Sequence, residues 1–229
     1  MRPRPVVASI GGSILGEVAE RTAFVRNLAA TLRAVSRSRR LLATTGGGSV
    51  ARAYIAAGRG LGIREEGLDE IGIAATRLNA ALLAHTLGRS AHPGVPATVP
   101  EAVAASRRFR IVVMGGTAPG WTTDTVAVRL AIASKASHLV NATAVDGVYT
   151  ADPRKDPAAR RLEHVTFREL VRLSGKGHTK AGPNVVFDPV AARLAARHRI
   201  PVFVVDGRDL RNLAAAIADR PFRGTRVGP

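Results

Sequence analysis

The amino-acid sequence predicts an α/β fold, a three-layer sandwich in which a central, mainly parallel sheet carries helices on both faces. Short apolar runs rich in β-branched residues alternate along the chain with Ala/Leu/Arg stretches whose apolar residues recur at helical spacing. Strands that are separated by helices favour parallel pairing through right-handed crossovers. Several of the apolar runs also end in a glycine-rich turn that leads directly into a helical segment. We therefore expect one folding unit over residues 1–229, without internal repeats or linkers.

The elements are predicted in chain order from these patterns. The strand candidates are residues 5–10, 41–45, 110–114, 138–143 and 201–205. The helix candidates are residues 17–36, 49–59, 68–87, 124–134, 166–174, 188–198 and 209–218. Residues 144–188 interrupt the alternation with turn-forming pairs such as Asp146-Gly147, and they are predicted to form a lobe of loops and a hairpin.

One predicted helix carries a continuous apolar stripe. The stripe is formed by Leu68, Ile71, Ala75, Leu78 and Leu82, whose spacing places them on one side of the helix. Packing against either the sheet or a partner subunit would explain its apolar character.

Composition limits the classes of protein that this chain can belong to. Apolar residues make up 46% of the 229 residues, enough for one substantial core, and the absence of cysteine excludes disulfides and thiolate metal sites. No apolar run approaches the roughly 20 residues of a membrane helix. The first apolar run is broken at Gly11-Gly-Ser13, which disfavours a secretory signal. We expect a cytoplasmic protein without a membrane partner.

The net charge of +17 raises the question of nucleic-acid binding. The basic residues are scattered along the chain in short clusters such as Arg37-Ser-Arg39-Arg40 and Arg107-Arg108, and aromatic residues are only 4%. Stacking residues for single strands are therefore scarce. The sequence alone predicts incidental affinity for nucleic acid but no dedicated nucleic-acid partner.

Three glycine-rich turns carry the functional signal. Gly11-Gly-Ser13, Gly46-Gly-Gly-Ser49 and Gly115-Gly-Thr-Ala-Pro-Gly-Trp-Thr-Thr-Asp124 each follow a predicted strand and precede a helical segment. The first N–H groups of a helix are unpaired and its dipole is positive there, so these turns suit anions. Three such turns in one domain imply a ligand with several phosphates.

The known alternatives for binding phosphate or catalysing hydrolysis are missing from the sequence. There is no P-loop pattern, no dinucleotide fingerprint, no zinc-protease motif and no nucleophile elbow. Glycine turns, threonine hydroxyls, a few carboxylates and basic groups remain. This set suits phosphoryl transfer, in which positioning and charge neutralisation supply most of the catalysis.

The motifs together resemble the archaeal-type uridylate kinases of the amino acid kinase superfamily. The most specific one is the Gly115–Asp124 loop, which points to UMP as phosphoryl acceptor, and the resemblance extends over nearly the whole chain. It implies an amino acid kinase-like domain with an acceptor-binding half, about residues 1–140, and an ATP-binding half, about residues 141–229. It also implies Mg²⁺ carried on the ATP phosphates and a homohexamer. The remaining motifs are Ile10-Gly-Gly-Ser13, Gly46-Gly-Gly-x-x-Ala-Arg52, Asp69-x-x-Gly72, Thr76-Arg-x-Asn79, Asp146-Gly-Val-Tyr-x-x-Asp-Pro153 and Asp188-Pro189.

The resemblance also implies roles for individual residues. The ATP phosphates would be bound by Gly12, Ser13, Gly48 and Arg52. The adenosine side of ATP would be held by Thr143, Tyr149 and Asp152. The UMP site would comprise Gly47, Asp69, Thr117, Ala118, Pro119, Gly120, Trp121, Thr122 and Thr123. The catalytic candidates are Arg52, Lys180 and Asp146, and the protein itself would supply no metal ligands.

Some of these residues also have simpler interpretations. Asp69 could be a carboxylate at a helix start, Arg52 a solvated helix charge and Asp146 a turn residue. Two positions depart from the superfamily pattern: Ser9 stands where many members have a catalytic lysine, and Ala144 where many have an asparagine.

Two further hypotheses stay open. A catalytic cation could be supplied by Arg52, Lys176 or Lys180 in place of the missing lysine. A non-catalytic nucleotide- or oxyanion-binding storage protein, or a kinase for another acceptor such as isopentenyl phosphate or carbamate, could use the same fold.

Overall fold

A seven-stranded sheet forms the centre of the computed structural model, which describes residues 3–15, 22–151, 156–175 and 187–229. The strands are β1 (Val6–Ile10), β2 (Leu41–Thr45), β3 (Ile111–Met114), β4 (Leu139–Thr143), β5 (Val148–Tyr149), β6 (Arg161–Leu162), β7 (His164–Thr166), β8 (Val202–Asp206) and β9 (Thr225–Gly228). The helices are α1 (Thr22–Ser36), α2 (Gly48–Gly60), α3 (Glu65–Leu87), α4 (Val99–Ser106), α5 (Thr123–Ser134), α6 (Phe167–Ser174), α7 (Pro189–Arg197) and α8 (Leu210–Ile217), with a 3-10 turn at Gly88–Ser90.

The sheet order is β3-β2-β1-β4-β8-β9-β7. The first five strands in this order are parallel, β9 pairs antiparallel with β8, and β7 pairs parallel with β9. The strands β5 and β6 form a separate two-stranded antiparallel sheet. The predicted mainly parallel sheet is therefore confirmed.

Side chains of successive strand residues enter two different cores, as a period of two requires. Val6, Ala8 and Ile10 of β1 pack in a cluster with apolar residues of α1, α3 and α8 on one face. Val7 packs on the other face with residues of α4, α5, α6 and α7. Helices cover both faces, and the predicted three-layer sandwich is confirmed.

All five predicted strands are present, and each boundary differs from the prediction by at most one residue. All seven predicted helices are present over the described residues, and the hairpin predicted within residues 144–188 is the β5–β6 pair. The helix α4 was missed. Its start follows the capping rules, because the side chain of Thr98 accepts a hydrogen bond from the Glu101 amide and a proline lies in the first turn.

The apolar stripe predicted on α3 divides into two parts. Leu68 and Ala75 are buried, whereas the side chains of Leu78 and Leu82 are 61% and 49% exposed. Ala80 and Leu83 take their place against the core. A stripe with a 3.5-residue period drifts around a straight helix, so its second half leaves the core. The half of the stripe that contains Leu78 and Leu82 is therefore exposed.

Sheet topology brings the glycine-rich turns together. Strand order reverses between β1 and β4, since β2 and β3 lie on one side of β1 and later strands on the other. In open α/β sheets the crevice at the carboxyl ends of strands at such a reversal is where ligands bind. The turns after β1, β2 and β3 all lie at this edge, which we call the carboxyl edge. No helix among the described residues has the length and apolar character needed to cross a membrane.

Candidate active site

The turns after β1 and β2 touch backbone to backbone. A Cβ at Gly12 would lie 2.7 Å from Gly48 Cα, and one at Gly48 would lie 2.6 Å from the Gly12 carbonyl oxygen. Gly48 also has φ of +62°, a left-handed conformation that glycine adopts without strain. The Gly46 amide donates to the Ile10 carbonyl at 2.9 Å, which fixes the two turns to each other. Only glycine allows this approach, so the peptide groups themselves form the surface of the site.

The helix α2 begins at this contact. Its N-cap residue, Gly47, has no side chain to cap the helix, so the positive end of the dipole faces the carboxyl edge without a side-chain cap. Arg52 lies in the second turn of α2, is exposed, and makes no hydrogen bond or ion pair with the described part of the chain. Ser13 is exposed beside Gly12. The structure thus brings Gly12, Gly47 and Gly48 together at the start of the helix that carries Arg52.

The loop after β3 is held by α3. The Gly120 amide donates to Asp69 Oδ2 at 2.7 Å, and the Gly116 amide donates to Thr76 Oγ1 at 2.6 Å. Since α3 begins at Glu65, Asp69 lies in the second turn, and Glu65 and Glu66 occupy the first turn instead. Asp69 therefore does not act as the helix-start carboxylate of the simpler interpretation. It fixes the predicted acceptor loop, and its second oxygen has no bond to the described residues.

The remaining loop residues form a surface around the start of α5. Thr122 is the N-cap of α5 and accepts from the Thr125 amide at 3.1 Å, and Thr123 is the first helical residue. The Trp121 ring is 38% exposed and lies 3.8 Å from the Arg129 guanidinium carbon. The Thr117 hydroxyl oxygen is buried and has no hydrogen-bond partner among the described residues. Ala118 accepts from the Trp121 amide at 3.3 Å, and Pro119 is exposed between them.

The motif Thr76-Arg-x-Asn79 has a structural role that the sequence alone did not indicate. Asn79 donates to the Gly46 carbonyl at 2.7 Å, and Arg77 Nε donates to the Gly116 carbonyl at 3.1 Å. The Thr45 hydroxyl also donates to the Thr76 carbonyl at 2.9 Å. One segment of α3 is therefore bonded to the turn after β2 and to the turn after β3, and it fixes their separation.

A buried carboxyl group, Asp124, was also missed. The residue keeps some exposed surface, but its carboxyl group is enclosed beneath the carboxyl edge, and this burial raises its pKa to about 6. Ser9 Oγ donates to Asp124 Oδ1 at 3.2 Å, and the Asp188 amide lies 3.4 Å from Oδ2. In the sequence, Ser9 was notable only because it stands where many superfamily members have a lysine. In the structure it contacts this carboxyl group directly.

A second part of the site follows β4 and β8. The Tyr149 hydroxyl donates to Asp146 Oδ1 at 2.7 Å, and Arg223 forms an ion pair with Asp146 Oδ2 at 3.0 Å. Partial burial acts to raise the pKa of Asp146, but these bonds outweigh it and lower the pKa below its ordinary value. Asp146 is therefore an ionised, doubly bonded group rather than only a turn residue. Thr143 lies at the end of β4, where its carbonyl accepts from the Gly207 amide at 2.8 Å.

Asp146 and Tyr149 line an open cleft of about 390 Å³. Arg208 lines the same cleft. Its guanidinium donates to both oxygens of Asp206 and to the Ala144 carbonyl at 3.0 Å. Ala144, noted from the sequence for lacking an amide side chain, thus takes part through its backbone. Sequence reasoning missed Arg208 and Arg223, because the Ala144 carbonyl lies 64 residues from Arg208 and the Asp146 carboxylate 77 residues from Arg223.

Two of the predicted site residues cannot be located. Asp152 and Lys180 lie outside the described residues, as does the alternative cation Lys176. Their assignments stay predictions.

Comparisons with known proteins identify the family and the fold that this chain shares. The model of the amino acid kinase family matches residues 4–206. The uridylate kinase of Methanothrix thermoacetophila is 45% identical over 97% of this chain and 98% of its own, and that of Thermoplasma volcanium is 45% identical over 97% and 96%. The crystal structure of the uridylate kinase from Archaeoglobus fulgidus superposes with a TM-score of 0.88 at 40% identity, covering 98% of this chain and 100% of that one.

Burial of Asp124 predicts a specific dependence of stability on pH. Its pKa is higher in the folded state than the value near 4 of an unfolded chain, so between pH 4 and pH 6 the folded state holds the proton more strongly. This contribution is present at pH 4 and is lost as the pH rises through about 6. Asp124→Asn, a neutral isostere, should therefore be more stable than the wild type at pH 7.5, by at most about 3 kcal/mol, with a smaller difference at pH 4.

Chemical unfolding of both ligand-free proteins at several pH values measures this difference directly. Because all other titrating groups are common to the two proteins, their contributions cancel. Parallel stability curves from pH 4 to pH 7.5 would contradict the raised pKa of this buried carboxyl group.

Proposed function

The chain belongs to the amino acid kinase family, and we propose that it acts within this family as a UMP kinase, which transfers the γ-phosphoryl group of ATP to UMP and releases UDP and ADP. Its archaeal relatives are uridylate kinases that match nearly the entire chain. The resemblance identified from the sequence motifs is thereby confirmed. The alternatives of a storage protein and of a kinase for another acceptor are not favoured by these relatives.

The observation that carries the proposal is the meeting of three glycine-rich turns at one edge of the sheet. Two of them, around Gly12 and Gly48, touch through their peptide groups, and the third is joined to the second through Asn79 and Arg77. Peptide N–H groups and helix N-termini stabilise phosphate oxygens, and no Cβ holds those oxygens away. Two phosphorylated substrates could therefore approach each other at this edge.

The proposed reaction is direct in-line transfer to a phosphate oxygen of UMP. The second pKa of a phosphate monoester is about 6, so at neutral pH the acceptor is mostly ionised and needs no general base. The difficulty is repulsion between two anions, which fixed dipoles and basic groups offset. On this proposal Gly12, Ser13 and Gly48 bind the ATP phosphates, while Arg52 and Lys180 neutralise the charge that is transferred.

The two ends of the site would bind the two nucleosides. We assign UMP to Gly47, to Asp69 and to the loop from Thr117 to Thr123. The adenosine part of ATP is assigned to Thr143, Tyr149 and Asp152. Asp146 is bonded to Tyr149 and Arg223, which supports a positioning role beside the adenosine and not direct contact with the transferred group.

Magnesium fits this site as a cation that arrives with ATP. Among the described residues no group of three or more His, Asp or Glu side chains could hold a metal ion. Magnesium is commonly bound mainly by substrate phosphates and water. When bound, it would reduce the charge of the donor phosphates.

We further propose that the protein is cytoplasmic, contributes UDP to pyrimidine nucleotide synthesis, and assembles as a homohexamer. The assembly has a candidate contact surface in the exposed apolar side chains of α2 and α3 and of the segment between them. These are Tyr54, Leu61, Ile63, Leu78 and Leu82. They lie on two helices that pack against each other and on the segment between them, and exposed apolar patches commonly mark protein–protein interfaces.

The proposed reaction can be tested with purified protein, MgATP and a panel of UMP, CMP, dUMP and isopentenyl phosphate, with ADP release as the measurement. We expect rapid, Mg²⁺-dependent ADP release with UMP and poor turnover of CMP. Binding of ATP and UMP without turnover would instead support a storage protein. Preferential turnover of isopentenyl phosphate would assign the chain to another acceptor.

The two ends of the site predict separable kinetic effects. Asp69→Asn keeps an oxygen for the Gly120 amide but removes the charge, so a hydrogen bond to the UMP ribose should weaken by about 1.5–3 kcal/mol. The KM for UMP should rise while that for ATP stays nearly constant. Tyr149→Phe removes only the bond to Asp146 and should affect the KM for ATP instead. An equal rise in both KM values for Asp69→Asn would show that the residue acts only through the fold.

The contact surface predicts the effect of one substitution on assembly. Leu78→Glu places a charge on the exposed part of α3 and should lower the mass measured by light scattering from six chains to fewer. The matched control is Arg26→Glu, a charge change on the exposed face of α1. A monomeric wild-type protein, or a Leu78→Glu hexamer, would contradict the proposed interface.

A further inference from the structure

The edge of the sheet opposite the candidate active site is strongly basic. Five loops lead into the parallel strands there: residues 3–5, 37–40, 107–110, 135–138 and 197–201. They contain ten basic residues and no aspartate or glutamate. We call this surface the basic edge; its members are Arg4, Arg37, Arg39, Arg40, Arg107, Arg108, Arg110, Lys135, Arg197 and Arg199.

Parallel pairing makes these loops neighbours although they are far apart in the sequence. Val6 pairs with Leu41, and Leu41 with Ile111, so the loops before β1, β2 and β3 lie side by side. Leu139 pairs with both Val7 and Val202, which adds the loops before β4 and β8. With about 4.8 Å between strands, the five loops span about 19 Å.

Hydrogen bonds between the loops hold this surface together. Arg4 donates to the Lys135 carbonyl at 2.8 Å and to the Ala136 carbonyl at 2.9 Å. Arg110 donates to the Ser36 carbonyl at 2.8 Å, and Arg40 to the Arg107 carbonyl at 3.4 Å. The partners of these guanidinium groups are carbonyl groups, which leave the positive charges in place.

The charge of the basic edge is not neutralised within the described part of the chain. None of its ten residues belongs to an ion pair there. The carboxylate of Asp219, which acts on His138 at this edge, is itself bonded to Arg226 at 2.9 Å. Eight of the ten side chains are exposed, and only Arg39 and Arg40 are half-buried.

Helix dipoles offer a simpler explanation for basic residues here, but their size is insufficient. The helices α1, α4, α5 and α7 end in these loops, and each contributes about half a negative charge. Together they offset about two of the ten positive charges, and the dipole effect fades within one helical turn. A large net positive charge remains at this edge.

The composition of the edge indicates what it would bind. Nine of the ten residues are arginine, whose planar guanidinium matches phosphate oxygens in pairs. The large exposed apolar side chains lie elsewhere in the described structure, which disfavours insertion into a lipid surface. Phe109, the one Phe, Tyr or Trp residue in these loops, packs edge-on against His92, so these loops offer unpaired bases no free Phe, Tyr or Trp ring to stack on.

We propose that the basic edge binds the phosphate backbone of double-stranded DNA without sequence preference. The duplex presents one charge per about 1.7 Å of axis, so a span of about 19 Å meets roughly eleven phosphates, of which those on the near side are within reach. In the described part of the chain this edge consists of short loops between helix ends and strands, so we expect contacts with phosphates and not with base edges in a groove. The contacts are therefore electrostatic and fix no base sequence.

Binding of a fluorescein-labelled DNA duplex of roughly 30 base pairs, followed by anisotropy across a series of salt concentrations, tests the proposal. The variant Arg37→Gln/Arg107→Gln/Arg108→Gln removes three exposed charges that make no side-chain hydrogen bond to the described residues. Its salt-dependence slope should fall by about 3 and its affinity at 0.1 M salt by about 10²-fold or more. The matched control, Arg26→Gln/Arg168→Gln/Arg211→Gln, removes the same net charge from exposed positions elsewhere and should lose less than about threefold.

Several outcomes would overturn the proposal. An equal loss of DNA affinity in the two triple variants would indicate an effect of net charge only. Failure of the wild type to bind the duplex at low salt would also contradict the proposal. Tighter binding of vesicles of anionic phospholipid or of duplex RNA, with the same sensitivity to the basic-edge variant, would assign the surface to another partner. Phosphoryl transfer should be unchanged in the basic-edge variant, since Arg37, Arg107 and Arg108 lie at the edge of the sheet opposite the carboxyl-edge turns.

Discussion

The contact between the peptide groups of Gly12 and Gly48 is the constraint on which the rest of the site depends. Any side chain at either position would collide with the opposite backbone, and the turns after β1 and β2 would separate. Their N–H groups could then no longer face one common point. The start of α2 at Gly48 and the hydrogen bond from Asn79 to the Gly46 carbonyl both depend on the close approach of these two turns.

The helix α3 fixes the position of the third glycine-rich turn, the one after β3, relative to the contact between Gly12 and Gly48. Its segment Thr76–Asn79 is bonded to the turns after β2 and β3, and about two helical turns earlier Asp69 accepts a hydrogen bond from the Gly120 amide. A rigid helix therefore sets the position of the proposed acceptor loop relative to the proposed phosphate turns. Positioning of this kind matters most for a reaction in which charge and alignment, and not acid–base chemistry, limit the rate.

Local patterns predicted the features that depend on neighbouring residues. Apolar runs predicted the five parallel strands, and glycine residues directly after these runs predicted the turns at Gly11, Gly46 and Gly115. All of them are present. Contacts between distant segments could not be predicted this way. The bond from Ser9 to Asp124 joins residues 115 positions apart, and the ion pair of Arg223 with Asp146 joins residues 77 apart. No spacing rule along the chain identifies such partners.

The arrangement of charged residues in space likewise could not be predicted from local patterns in the sequence. In the sequence the clusters at Arg37–Arg40 and Arg107–Arg110 look unrelated, yet adjacent strands place them side by side because β2 and β3 pair in parallel from Leu41 and Ile111. A parallel sheet gathers everything that precedes its strands at one edge and everything that follows them at the other. Asp124 and Asp146 follow strands and Asp206 ends one, whereas the ten cations of the basic edge precede strands. Topology therefore gathers at one edge the cations that are scattered along this chain, and the two proposed phosphate sites lie at opposite edges of one sheet. The proposed nucleotide site would use peptide groups, and the proposed polymer site would use guanidinium groups.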